Sequence, residues 1–271
     1  MRSLWLKAVS LICVLTLAGC SASPTGRNRV LLYDNSQMSA LGAQSFEEIK
    51  KSEEVVTDKA IVSYVQCVTD AVTAEIPGHY GEEHWEVAVF KSEQVNAFAL
   101  PGGHIGVYTG LIEVAETPDQ LATVIGHEIA HVLAEHSNER LSRNQIVGVG
   151  TLAAAVAIGA SDIEHKGATM AALGLGVQYG IVLPYGRAQE SEADVMGLDL
   201  MASAGFEPQE SVSLWQNMAK ASGGSPPQFL STHPSHNTRI NQLESQMPKA
   251  SGLRQQALAN NKQPDCERPN L

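Results

Sequence analysis

The feature that most constrains this sequence is a predicted helix carrying His127-Glu128-Ile129-Ala130-His131. The preceding Thr117-Pro118-Asp119-Gln120 supplies an N-cap, a proline at the first helical position and a capping-box glutamine. The pattern predicts a helix that runs to about Arg140. Residues four apart share one face of a helix, so the two imidazoles lie together with Glu128 beside them.

Two histidines and a glutamate at this spacing are typical of a zinc site. Neutral imidazole nitrogens suit zinc, and a carboxylate beside a zinc-activated water can accept its proton. The apolar neighbours Ile129, Val132 and Leu133 indicate a buried helix, in which unpartnered histidines would be unfavourable. We therefore expect one Zn²⁺ per chain on His127 and His131, with Glu128 as general base. The alternative is a chance pattern on a surface helix.

A catalytic zinc has three protein ligands and one open position. The best candidate for the third ligand is Glu190 in Glu190-Ser191-Glu192-Ala193-Asp194, where Glu190 and Asp194 share a helix face. Asp194 would accept the N–H of a ligating imidazole and fix its tautomer. The alternative is an acidic, solvated helix face. A purely structural zinc site is disfavoured because such sites are closed and usually rich in cysteine.

Four motifs follow one another along the chain: Val95 to Gly103, Tyr108 to Leu111, Gly126 to His131, and Glu190-x-x-Ala193-Asp194. Together they resemble metallopeptidase family forty-eight. This group of gluzincin zinc endopeptidases includes HtpX, BepA, LoiP, the CAAX prenyl proteases and the mitochondrial OMA-type peptidase. The resemblance spans about residues 57 to 246 and implies that Glu190, not Glu192, is the third ligand.

The same resemblance implies roles for residues outside these motifs. His233-Pro234 and Arg239 match an element whose histidine approaches the metal or the substrate oxyanion and whose arginine lines the site. By itself, His233 would more often be a surface residue. The segment Asn96, Ala97, Phe98 and Ala99 would be the edge strand that pairs with an extended peptide, which favours broad specificity. Three histidines without a motif are interpreted as structural or surface residues: His104, His136 and His236.

The remaining pattern predicts an α+β fold: a mostly helical, zincin-like metallopeptidase domain with a small antiparallel β-sheet beside the motif helix. Alternating segments at residues 84–91, 95–100 and 104–108 predict the sheet, with a turn at residues 101–103. Apolar positions at helical spacing predict one or two helices between Met38 and Glu75. Further helices are expected at residues 187–204, 208–221 and 237–246.

Two stretches rich in glycine and alanine, at residues 144–161 and 168–183, predict small-residue helices. Their hydrophobicity is marginal for crossing a bilayer, which favours soluble helices against the core or over the active site. A membrane-dipping hairpin is the alternative. Family members carry a hairpin or a lid at this place, and either would gate access to the site.

The N-terminus has basic residues, a short apolar run and Leu17-Ala18-Gly19-Cys20, which resembles a lipoprotein signal peptide. We expect four regions: a signal peptide at residues 1–20, a flexible tether at 21–36, the zinc metallopeptidase domain at 37–250 and a C-terminal tail at 251–271. Lipid on Cys20 would anchor the chain to the membrane. With Ser21 following, the sorting pattern implies the inner leaflet of the bacterial outer membrane, facing the periplasm. An ordinary signal peptide is the alternative.

Charge and cysteine content restrict the partners. The net charge of −11, without clustered basic residues, disfavours nucleic acid as a partner. Cys67 and Cys266 remain after export and could form a disulfide in an oxidising compartment, although sequence does not give their separation. The sequence does not set the oligomeric state.

The leading hypothesis is a zinc metalloendopeptidase that hydrolyses misfolded or unassembled envelope proteins, as part of periplasmic protein quality control. Protein or peptide substrates follow from the resemblance, and no residue selects a particular one. The alternative is a latent peptidase that acts mainly as an outer-membrane protein assembly or chaperone-like factor.

Overall fold

The computed structural model describes residues 20–80, 84–159, 186–221, 229, 233 and 237–270. Over these residues the chain divides into two compact units, one comprising 20–34 and 135–159 and the other 35–134 and 186–270. The predicted α+β class with mostly helical content is confirmed. The signal peptide, apart from Cys20, lies outside the described residues.

The smaller unit contains a hairpin and one long helix. Strand β1 (Cys20–Ala22) pairs antiparallel with β2 (Asn28–Val30), and helix α5 spans His136–Gly159. Arg27 pairs with Glu139 of α5 at 3.0 Å, and Arg29 pairs with Glu135 at 2.7 Å. The expectation of little structure at residues 21–36 is therefore wrong, because these ion pairs hold the hairpin to the helix.

The larger unit contains a mixed three-stranded sheet. Its strands are β3 (Glu86–Phe90), β4 (Ala97–Leu100) and β5 (His104–Tyr108), in the order β3-β5-β4. The β4-β5 pair is an antiparallel hairpin, whereas β3 pairs parallel with β5. The prediction of an antiparallel sheet therefore holds for the β4-β5 pair only, because β3 runs in the same direction as its neighbour β5. On the far side of β3, the Val56 N–H donates to the Val89 carbonyl at 2.8 Å.

Seven α-helices of this unit surround the sheet and the core in the described residues. Helix α4 lies centrally and is capped as expected, since the Gln120 N–H donates to Thr117 Oγ1 at 3.2 Å. The Gln120 side chain, however, accepts from the Glu116 N–H, one residue before the capping-box position. The helices are α1 (Asn35–Ser52), α2 (Lys59–Thr73), α3 (Thr109–Val114), α4 (Pro118–Leu133), α6 (Arg187–Ser203), α7 (Glu210–Ala221) and α8 (Asn237–Ala259).

The motif helix is shorter than predicted. Helix α4 ends at Leu133 rather than near Arg140, because Glu135 adopts a left-handed backbone with φ of 52°. The first small-residue stretch belongs to α5 as far as residue 159, and the second, at residues 168–183, lies outside the described residues. Of the helices described, none is long and apolar enough to cross a membrane.

Helices α4 and α6 cross at two glycines. A Cβ added to Gly126 would lie 2.8 Å from the Gly197 carbonyl oxygen, and one added to Gly197 would lie 2.7 Å from the His127 nitrogen. Neither position has room for a methyl group. The crossing therefore brings the backbone of His127 close to the helix that carries Glu190 and Asp194.

The C-terminal segment is tied to the body of this unit. Helix α8 continues to Ala259, beyond the predicted start of the tail, and Cys67 of α2 forms a disulfide with Cys266. The Arg268 side chain donates to the carbonyls of Ile112 and Ala115 at 3.0 and 3.2 Å. Residues 262–268 are thus held across the core by covalent and polar contacts.

Candidate metal centre

Helix α4 carries three buried polar side chains, two histidines on one face and a glutamate beside them. His127, Glu128 and His131 are each less than 5% exposed. The Nε2 atoms of His127 and His131 lie 3.1 Å apart. Two imidazole nitrogens at this separation can share one metal ion.

Helix α6 brings Glu190 to the same point. Its Oε2 lies 3.5 Å from His127 Nε2, and its Oε1 lies 3.5 Å from His131 Nε2. Ligands about 2.0–2.1 Å from a tetrahedral zinc are separated from one another by about 3.3 Å. The three donors therefore fit a single zinc ion without rearrangement of the helices.

Asp194 and Arg239 support this set of donors. His127 Nδ1 lies 3.0 Å from Asp194 Oδ1, and Arg239 donates to both Asp194 oxygens at 2.5 and 2.6 Å. Burial would raise the pKa of Asp194, but the Arg239 charge and the hydrogen bonds from His127 and Arg239 hold it below its usual value. Asp194 is therefore an anion that fixes the orientation of the His127 ring.

Arg239 also contacts Glu190. Its Nη1 lies 3.0 Å from Glu190 Oε2. Burial raises the pKa of Glu190, but hydrogen bonds with His127 and His233 outweigh it and hold that pKa well below its usual range. Glu190 is thus ionised, as a metal ligand must be.

The carboxylates of the site favour positive charge beside them. Burial lowers the pKa of His127, but hydrogen bonds to Asp194 and Glu190 outweigh it and raise that pKa to about 9. Two buried carboxylates beside one imidazole therefore favour either a proton or a metal cation there.

His233 joins the donor cluster. Its Nδ1 lies 3.1 Å from Glu190 Oε1 and 3.2 Å from His127 Nε2. Its Nε2 lies 3.3 Å from Glu128 Oε1. One ligand atom from each of four residues falls within 4.8 Å of the others: His127, His131, Glu190 and His233. His233 is thus within reach of a metal bound by the other three.

The Glu128 side chain is buried where α4, which carries it, packs against β4. Its carboxylate accepts a hydrogen bond from the Ala99 N–H, and burial raises its pKa. Its Oε1 has no hydrogen-bond partner among the described residues. A buried carboxylate whose oxygen is free of hydrogen bonds in the described part of the chain, with the His233 ring 3.3 Å away, is suited to accept a proton.

Strand β4 lies against the motif helix. Within the described residues it pairs only with β5, so its outer edge has no strand beside it. Ala97 and Ala99 are buried, whereas Phe98 is partly exposed. The Asn96 Oδ1 is buried and has no hydrogen-bond partner among the described residues. The predicted edge segment 96–99 is therefore beside Glu128.

A sequence profile for peptidase family M48 matches residues 60–247, which is more than half of the chain. The chain belongs to peptidase family M48. This family is zinc-dependent, and the four clustered side chains form its candidate metal site. The predicted family is thereby confirmed.

Relatives of this M48 chain include mitochondrial and bacterial proteases. It is 34% identical over 254 residues to the mitochondrial metalloendopeptidase OMA1 of Bos taurus, covering 85% of this chain and 46% of that protein. The corresponding OMA1 of Schizosaccharomyces pombe is 36% identical over 173 residues, with 63% and 49% covered. The beta-barrel assembly-enhancing protease of Escherichia coli is 25% identical over 211 residues, with 74% and 42% covered. The chain thus spans about half the length of these relatives.

Two aromatic residues of the M48 domain were not predicted as part of the site. Trp215 lies under the Arg239 guanidinium at 4.1 Å from the ring centroid. Phe229 stacks on His233 with centroids 4.6 Å apart. The spacing of Phe229 and His233, four residues apart, is a weak signal, but nothing in the sequence connects Trp215 with Arg239.

Three histidines outside the motifs were interpreted as structural or surface residues. His104 stacks on Phe46 with centroids 5.0 Å apart. His136 is buried in the smaller unit, and His236 lies outside the described residues. Of these, His104 and His136 do not belong to the metal-ligand group found in the described residues.

Proposed function

We propose that this chain is a zinc endopeptidase that hydrolyses extended segments of proteins. The observation that carries the proposal is the donor set of His127, His131 and Glu190, separated by 3.1–3.5 Å and with Glu128 beside it. When bound, zinc would polarise the substrate carbonyl and acidify a water molecule. The other parts of the reaction fall to the side chains of the chain itself.

Glu128 is the general base and later the general acid. It accepts the proton of the attacking water and returns it to the leaving amine. Its buried position, fixed by the Ala99 N–H, keeps competing solvent away from the carboxylate. Asp194 holds His127 in one tautomer, and Arg239 holds both Asp194 and Glu190 in place.

Strand β4 receives the substrate. An extended peptide beside the edge of β4 that no described strand covers would form main-chain hydrogen bonds. The Asn96 Oδ1, which has no hydrogen-bond partner among the described residues, offers one more acceptor for a substrate N–H. Because main-chain pairing is insensitive to side-chain identity, broad specificity follows.

The test compares the purified chain with Glu128→Gln. Zinc per chain is measured, and casein cleavage is followed for both. We expect one zinc in each and a loss of cleavage of at least about 10³-fold in the variant. Cleavage that persists in the variant would exclude Glu128 as the base. A wild-type chain without zinc would overturn the proposal.

A second candidate function is a latent peptidase that acts mainly in outer-membrane protein assembly. The observation in its favour is His233, whose Nδ1 is near both His127 Nε2 and Glu190 Oε1. In this position it could fill the open position of a bound metal. If His233 instead donates to the oxyanion, His233→Ala lowers the cleavage rate by about 10²-fold. A variant that cleaves faster than the wild type would favour latency.

The proposed location is the periplasmic face of the bacterial outer membrane, with lipid on Cys20. The support is the N-terminal sequence pattern, together with the similarity to the beta-barrel assembly-enhancing protease of Escherichia coli. The proposed substrates are misfolded or unassembled envelope proteins. Palmitate labelling and membrane fractionation of the wild type and Cys20→Ser test the anchor. Equal labelling of both would contradict it.

A further inference from the structure

The Arg239 guanidinium is bound on its edges and on one face. Its edges donate to Asp194 and contact Glu190 at 3.0 Å, and Arg239 is only 3% exposed. One face lies over the indole of Trp215, which comes from a different helix, α7. The contacts at the edges of the guanidinium fix the positions of the Asp194 and Glu190 carboxylates. The indole ring fixes the plane of the guanidinium.

The hydrogen bonds to Asp194 depend on the plane of the guanidinium, and the same plane sets where its charge meets Glu190 in their ion pair. Arginine has a long, flexible side chain, and its planar fork gives directed hydrogen bonds only while the plane is held. A guanidinium favours the face of tryptophan over those of the other aromatic residues, more strongly when the pair is desolvated. Trp215 is 8% exposed, so the pair is removed from water.

We propose that Trp215 is a positioning residue for the metal centre. It holds the Arg239 plane so that Glu190 points an oxygen at the metal position and Asp194 binds His127 Nδ1. Trp215 also contacts Phe229 at 6.0 Å between centroids, and Phe229 stacks on His233, so the same indole supports a second site residue. The inference rests on the proposed function, because it takes zinc as the ion at this site.

The experiment measures zinc release from the full chain with a chelating indicator in excess. The variants are Trp215→Met, which keeps apolar bulk without a ring face, and Trp215→Phe, which keeps a ring. The matched control is Trp85→Met, because Trp85 is also 8% exposed and belongs to the same core. Thermal unfolding of the zinc-free proteins reports the general loss of stability.

We expect Trp215→Met to release zinc about 10-fold faster or more than the wild type, as for other residues that orient metal ligands. Trp215→Phe should remain within about 3-fold, and Trp85→Met should lose stability without faster release. Equal release from Trp215→Met and Trp85→Met would overturn the inference.

A folding failure still leaves a test. If Trp215→Met does not fold, Trp215→Leu, which also lacks a ring face, is compared with Trp85→Leu, and equal release rates for these two would overturn the inference. A wild-type chain that binds zinc but cleaves nothing would count against the proposed function alone. A wild-type chain that binds no zinc would overturn both.

Discussion

Asp194 influences the candidate metal site indirectly, because it contacts the His127 ring and does not contact the metal position. Its contact with Nδ1 directs the other ring nitrogen toward Glu190 and His131. Loss of the anion would leave the ring without a fixed tautomer and would leave the Arg239 charge less well compensated. The effect of this residue should therefore appear first in metal affinity.

We predict that Asp194→Asn weakens zinc binding by about 10–100-fold. The measurement is zinc competition with a chelator of known affinity. The control is Asp199→Asn on the same helix, which removes only the partly exposed ion pair with Lys249. Equal zinc affinity in the two variants would show that Asp194 does not orient His127.

At the residue scale, the sequence contains most of the site. His127 and His131 are predictable because helical periodicity places them on one face, with Glu128 beside them. The same periodicity pairs Glu190 with Asp194, and the resemblance selects Glu190 over Glu192 and adds His233 and Arg239. Trp215 is not predictable, because its contact with Arg239 depends on how α7 and α8 pack. Local patterns carry no information about contacts between distant helices.

Among the elements, the crossing of α4 and α6 sets the distance between the histidines and Glu190. Gly126 precedes His127 directly, and Gly197 lies three residues after Asp194. Their backbones approach so closely that an added methyl group meets main-chain atoms, which cannot move aside as a flexible side chain can. The crossing therefore determines the geometry of the ligand set.

We predict that Gly126→Ala or Gly197→Ala destabilises the protein by about 1–3 kcal/mol and weakens zinc binding. Chemical unfolding and zinc competition measure the two effects. The control is Gly252→Ala in α8, where an added Cβ meets nothing within 4 Å. That change should be neutral or stabilising by up to about 1 kcal/mol, because alanine favours helix. Wild-type stability in both crossing variants would contradict the prediction.

Element boundaries and pairings were only partly predictable. The capped start of α4 follows from Thr117. Its end at Leu133 depends on the left-handed backbone of Glu135, and a glutamate does not predict that conformation as a glycine would. Alternation identifies β3, β4 and β5 as strands but does not say which are neighbours. The parallel pairing of β3 with β5 depends on tertiary packing, because these two strands are not consecutive in the chain.

For the whole molecule, the Cys67–Cys266 disulfide closes most of the chain into a loop. The two residues are 199 positions apart, and their Cα atoms lie 5.7 Å apart. In the chain-entropy description, closing so long a loop in the unfolded state is worth about 5 kcal/mol. Cysteine counting offered this pair, but only the packing of the C-terminal segment brings the two residues within bonding distance.

We predict that Cys67→Ser/Cys266→Ser lowers the midpoint of thermal unfolding by about 10 °C. Wild-type protein treated with a reductant should shift by a similar amount. Thermal unfolding followed by circular dichroism measures both. An unchanged midpoint in the double variant would show that the contacts of Arg268 hold the segment without the bond.

The outer edge of β4, beside which no strand lies in the described part of the chain, has a consequence for which proteins the proposed peptidase could cut. A helix, or a strand paired on both sides, cannot add to that edge, because its main-chain groups are already satisfied. Such a segment of a folded protein would therefore have to open locally, over several residues, before it could align with Asn96 to Ala99. The rate of cleavage would then report the free energy of that local opening, and stable proteins would be spared without any recognition of their sequence.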